Sequence, residues 1–139
     1  MKYGTFLLIV AMAVSTARAE NWPQWRGPAF NGSSDEKNLP AEWSTTENVA
    51  WSVELPGAAA STPIIWQDRV FLSGVDVEAD TLLALCLDRA DGKILWQHTV
   101  GKGTRRDDRS TYAAPSVVTD GQLVFGRTWW DSPRSCCGG

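Results

Sequence analysis

The chain of 139 residues has one histidine, three cysteines and no surplus of positive charge, and each shortage narrows what it can do. His98 has no acidic or nucleophilic partner within a recognisable motif, so it reads as an ordinary strand residue rather than a general base. Three cysteines cannot build a disulfide framework. Cys86 falls on an apolar strand face and reads as a small core residue, while Cys136 and Cys137 are adjacent and lack the separation and partners of a zinc ligand set. No metal site and no catalytic residue is therefore assigned. Thirteen basic against sixteen acidic residues give a net charge of −3, which lacks the basic footprint that nucleic acid or an anionic membrane surface requires. No amphipathic helix is evident beyond the first twenty residues, and no apolar run approaches the ~20 residues of a membrane-spanning helix.

What is present begins with a processing signal. Lys2 precedes an uninterrupted apolar run over residues 6–14, and Ala17-Arg18-Ala19 is a small-x-small cleavage site, the pattern of a secretory signal peptide over residues 1–19. Cleavage after Ala19 is expected, with a periplasmic or secreted product. Removal of this segment takes two of the 13 basic residues, Lys2 and Arg18, and none of the 16 acidic ones, which deepens the net charge from −3 to −5. All eight tryptophans lie beyond it, promising much buried aromatic surface.

Residues 20–50 carry prolines, glycines and polar turn residues and read as an extended lead-in. Strands are predicted over 51–55, 63–67, 69–73, 81–87, 93–100, 115–119 and 122–125, which makes the chain all-β. Along 81–87 the set Thr81, Leu83, Leu85, Leu87 occupies one face and Leu82, Ala84, Cys86 the other. Both faces are apolar, so this strand is expected between two layers. Asp91-Gly92 predicts a type I′ hairpin turn into the next strand, whose Trp96 suits the seam between packed sheets. The order of features also repeats: "WSVELPG" from Trp51 corresponds to "WQHTVGK" from Trp96, and "STPIIWQDRVFL" from Ser61 to "AAPSVVTDGQLVF" from Ala113. A repeat of this size with four strands per unit is that of a β-propeller blade.

The segment "LALCLDRADGKILW" resembles the repeat of the pyrroloquinoline-quinone (PQQ)-like, or quinoprotein-type, β-propellers, with Ala84, Asp88, Gly92, Lys93 and Trp96 at the matching positions. Three residues stand between Ala84 and Asp88 where that repeat has one. The lead-in "NWPQWRGP", with Trp22, Pro23, Trp25, Arg26, Gly27 and Pro28, is similar to the N-terminal region of secreted members. The resemblance implies an incomplete β-propeller over residues 51–125, roughly one full four-stranded blade plus part of a second. Residues 126–139 show no strand alternation and are read as an aberrant, disordered tail. The genetic code offers a cause: with an Arg127 codon ending in G, Thr128 to Ser132 can be encoded so that a frame displaced by two bases yields Asp-Leu-Val-Gly-Phe, close to the "DTLLAL" that starts at Asp80.

Members of the family divide into quinone-dependent dehydrogenases and non-enzymatic scaffolds, among them an outer-membrane protein-assembly factor. The enzymatic reading needs an axial cofactor pocket, a calcium ion and a catalytic aspartate, and none of these is assigned here. PQQ enters by resemblance alone. Asp76, Glu78 and Asp80 alternate like calcium ligands but lack the glycine and distal glutamate of a calcium loop, and read as a solvated turn. The mixed-sign cluster Arg105 to Arg109 reads as a solvated connection, Cys136-Cys137 as a coincidental likeness to the vicinal disulfide of family dehydrogenases, and the Trp22 and Trp25 pair as closing-strand packing rather than a carbohydrate platform. The expectation is an exported binding or scaffold module of the cell envelope, with envelope proteins as partners, without a membrane span and without nucleic acid. The alternatives are a dehydrogenase fragment and a truncated product without function. Unpaired strand edges are expected to promote self-association and marginal stability.

Overall fold

Strict alternation of apolar residues makes an extended chain with two faces, and in this protein both faces are covered. The computed structural model describes residues 19–58, 60–103 and 115–126, together with the backbone of 134–137. All regular structure among the described residues is β. The strands are β1 (Ile64–Trp66), β2 (Arg69–Asp76), β3 (Thr81–Asp88), β4 (Ile94–Lys102), β5 (Val118–Thr119), β6 (Leu123–Gly126) and β7 (Arg134–Cys137). The first four form one antiparallel sheet in the order β1-β2-β3-β4, and the last three form a second in the order β5-β6-β7. Among the described residues no helix is long and apolar enough to cross a membrane.

The register shows why β3 is apolar on both sides. Val70 pairs with Leu87 and Leu72 with Leu85, which puts these side chains on one face of the sheet; Phe71 pairs with Cys86 and with Ile64 on the other. The first face, with Leu83 added, is roofed by Trp51, Val53 and Leu55, which follow the lead-in, and is flanked by Ile65 of β1. The second face packs Ile64, Phe71 and Cys86 against Val117, just before β5, and Val124 of β6, with Trp66 and Trp96 at its margin. Ile64, Leu83, Leu85 and Cys86 are all at most 1% exposed. Fully burying a side chain of this kind contributes about 1.5–3 kcal/mol, so the β2–β3 pair is the centre of stability. The expected layering of this strand is therefore realised, and Trp96, opposite Cys86 in the register, lies at the inter-sheet seam.

Three expectations need correction. Residues 51–55 are extended and alternate between half-buried and exposed, yet they pair with no strand. Their alternation reflects packing onto a sheet face, which imposes the same period of two as hydrogen bonding within a sheet. The β3–β4 connection is not a type I′ turn. Only Gly92 has a positive φ, of 74°, and Asp91 does not share it. The chain closes instead through Asp88 N donating to Lys93 O (2.8 Å) and Gly92 N donating to Asp88 O (2.9 Å), so four residues, 89–92, form the loop. The Asp88 carboxylate nucleates it by accepting from Ala90 N at 2.7 Å. Finally, residues 134–137, where no strand alternation is visible in the sequence, form β7 on the edge of β6, with Val124 opposite Cys136 and Leu123 opposite Cys137. Residues 1–18, the Arg105–Arg109 cluster and 127–133 lie outside the described residues.

Candidate functional site

Glycines with positive φ mark where the chain packs tryptophan onto backbone. At Gly92 an added Cβ would lie 2.4 Å from the Trp51 ring, and at Gly121 (φ 92°) it would lie 2.4 Å from the Trp66 ring. A third pairing sits in the lead-in, where the Trp22 ring covers Gly27 (φ 75°) at 2.6 Å. Trp51 adds a hydrogen bond from Nε1 to Arg89 O (2.9 Å), satisfying its one donor on the loop it covers. Each pairing joins separate parts of the chain or folds the lead-in upon itself, and each needs a residue without a side chain in the left-handed region.

The residues singled out in the repeat therefore build structure. Ala84 is central in β3, opposite Ser73 and His98; Asp88 and Lys93 close the loop; Gly92 receives Trp51; Trp96 packs at the seam, its ring 6.0 Å from Phe71 and 4.9 Å from His98. His98 is exposed on β4. The carboxylate of Asp76 accepts from Ala79 N (2.9 Å), so this acidic segment shapes the β2–β3 turn. Among the described residues no group of three or more His, Cys, Asp or Glu is arranged to hold a metal.

The lead-in motif links the two sheets. Trp22 exchanges both backbone hydrogen bonds with Ile65 on the outer edge of β1, at 2.8 and 2.9 Å, and Pro23 O accepts from Thr119 N of β5 at 2.9 Å. The Gln24 side chain is buried and bonded at both its nitrogen and its oxygen: Nε2 donates to Gly27 O and Oε1 accepts from Arg26 N. Pro28 continues the turn after Gly27, while Trp25 remains 63% exposed with the Arg26 guanidinium 5.5 Å over its ring. The expected packing of this pair between closing strands holds for Trp22 alone and is corrected for Trp25: one ring is docked on Gly27 and the other faces solvent with a cation beside it.

At the end of the molecule where the β1–β2 and β3–β4 turns meet, polar groups converge. Arg89 N donates to Asp68 O (3.0 Å) and Arg89 Nη1 to Gln67 O (3.2 Å), while Gln67 N donates to Asn21 Oδ1 (2.6 Å). These contacts border a cleft of about 930 Å³ lined by Ala19, Glu20, Asn21, Gln67, Asp68, Asp88, Arg89 and Ala90. A second hollow, of about 430 Å³, lies on the other side of the same turn, between Trp66 to Phe71 and the β5–β6 turn at Thr119 to Gln122. There Asp120 accepts from Gln122 N and Leu123 N at 2.9 and 2.8 Å, and these donors hold its carboxyl below the usual carboxylate range. The larger cleft presents three carboxylates, two amides and one guanidinium, a lining suited to hydrogen-bonded recognition rather than to nucleophilic attack. Its members come from three short segments that lie 20 or more residues apart in sequence, and only Asp88 among them was singled out by the repeat. The sole local sign of the rest is the two-residue connection Gln67-Asp68, whose Gln67 takes a φ of 53°.

Comparison with known proteins adds no relative: no family model matches the chain, and no curated protein and no solved structure matches it.

Proposed function

We propose that this chain is an exported piece of a PQQ-like β-propeller with a non-enzymatic binding or scaffold role in the cell envelope, similar to that of propellers that assist outer-membrane protein assembly. The observation that carries this reading is the recurrence of one packing device in successive sheets. Trp51 covers Gly92 of the β3–β4 loop and Trp66 covers Gly121 of the β5–β6 loop, so each sheet is fastened through a tryptophan to the segment beside it. Thr62 N donates to Ser116 Oγ (2.9 Å), which sets the two proline-led segments side by side, as neighbouring units around a common axis require. The turns of both sheets then gather at one end, and a rigid framework with polar turns is the usual arrangement of a recognition surface.

In this reading the envelope partner engages the Gln67, Asp68, Arg89 cleft, and the second copy that self-association calls for engages the outer edge of β4, which pairs with no strand among the described residues. The competing reading is a fragment of a quinone-dependent dehydrogenase. Titration of the purified chain with PQQ and calcium, followed by cofactor absorbance, separates the two. The scaffold reading expects no saturable change, and a saturable one replaces it with the dehydrogenase reading.

A further inference from the structure

We infer that removal of the leader after Ala19 creates the group that closes the lead-in on itself beside the edge of β1: the new α-ammonium of Glu20, paired with the carboxylate of Glu36. This rests on the reading of residues 1–19 as a cleaved export signal. In the uncleaved chain Glu20 N is an amide, and it already donates to Glu36 Oε1. The two ends of this contact are also tied through Ser34, whose hydroxyl donates to Glu20 Oε2 (3.3 Å) and accepts from Glu36 N (3.1 Å).

Hydrolysis of the Ala19–Glu20 peptide by an export peptidase uses one water. Its oxygen goes to the Ala19 carbonyl carbon, which leaves as a carboxylate with the leader, and at neutral pH the Glu20 nitrogen ends as an ammonium. A neutral donor facing Glu36 thereby becomes a charged one with three protons, and a hydrogen bond becomes an ion pair. The carbonyl of Ala19, which accepts from Arg89 Nη1 at 3.5 Å, departs with the leader, while Arg89 keeps Gln67 O as an acceptor. Two residues further on, Trp22 is laddered onto Ile65 at the edge of β1. Fixing Glu20 therefore steadies the strand-like segment that covers this edge, and the chain acquires its full N-terminal closure only once the leader has gone.

The test uses two mature chains, one beginning at Glu20 and one retaining Ala19. Both carry one terminal ammonium, so net charge is unchanged while the ammonium moves by one residue. Amide hydrogen exchange at Trp22 and Ile65 is expected to be roughly two- to fivefold slower in the chain beginning at Glu20, the scale of a solvent-exposed ion pair. Glu36→Gln is expected to abolish that difference. Equal exchange in the two chains, or a difference that survives Glu36→Gln, overturns the inference. The intact mass of the exported protein tests the export reading separately: a first residue other than Glu20 overturns that reading and the inference with it, whereas a Glu20 start with equal exchange overturns the inference alone.

Discussion

Replacing Gly92 by alanine tests whether the Trp51 contact holds the covering segment 51–55 to the first sheet. The substitution acts twice. Alanine at φ 74° occupies the left-handed region, which costs about 1–2 kcal/mol. Its Cβ would also lie 2.4 Å from Trp51 Cε3 and 2.7 Å from Cδ2, so the indole must lift, breaking the bond from Nε1 to Arg89 O. Loss of that bond removes about 0.5–1.5 kcal/mol, and partial exposure of the ring and of Leu85 and Leu87 beneath it adds a comparable amount. Gly92→Ala should therefore destabilise the protein by about 2–5 kcal/mol. Gly32 supplies the control. Its φ is 76° but nothing lies within 4 Å of the added carbon, so Gly32→Ala carries the backbone penalty alone. The reduced freedom of the unfolded chain is common to both variants and cancels in the comparison. Urea unfolding followed by far-ultraviolet circular dichroism should place Gly92→Ala about 1–3 kcal/mol below Gly32→Ala. In a Trp51→Ala background the two glycine substitutions should become equivalent. Equal penalties with Trp51 in place would refute the argument that the indole clamps this loop.

Cys86 is fully buried, and burial pushes its thiol up, with Arg69 opposing and Asp88 reinforcing the shift. It should resist iodoacetamide in the native chain at pH 7.5 and react once urea unfolds it, as read by mass mapping of the peptide that contains it; labelling at the rate of a small thiol would contradict its place in the seam. The lowered carboxyl of Asp120 sets a direction for acid behaviour. A group whose folded pKa lies below its unfolded value of about 3.9 stabilises the fold above that pH, and the contribution disappears as pH falls through the folded value. Asp120→Asn should flatten the dependence of stability on pH between about 5 and 2, measured by urea midpoints, and an unchanged slope would remove the β5–β6 turn from the account of acid sensitivity.

Where the sequence was legible, local rules and burial agreed. Leu83, Leu85 and Leu87 alternate with Leu82 and Cys86, and a strand apolar on both sides has to be sandwiched; the covering layers followed from that. The strand over 51–55 was misread because Trp51, Val53 and Leu55 show the same alternation whether they bond within a sheet or lie across its face. The Asp91-Gly92 turn was misread because Asp88 competes with it: a carboxylate two residues before Ala90 opens a longer loop, and the dipeptide alone does not show it. The turn-end cleft could not be read at all. Asn21, Gln67 and Arg89 meet only after the lead-in has crossed the edge of β1 and β3 has returned beside β2, and no one-dimensional spacing records that encounter.

The unequal treatment of the two edges of the first sheet bears on how the protein is used. The β1 edge is closed by Trp22, and the same lead-in reaches Thr119 through Pro23, so one short segment ties both sheets and blunts an edge that would otherwise accept a foreign strand. The β4 edge has no such cover among the described residues, and it carries Ile94 and Leu95, 36% and 47% exposed, beside Lys93. Lysine beside an edge strand discourages indiscriminate pairing while leaving the apolar positions available. A change that loosened Trp22 would be felt at two places, because it would expose a second edge of the first sheet and move Asn21 away from Gln67 at the turn end.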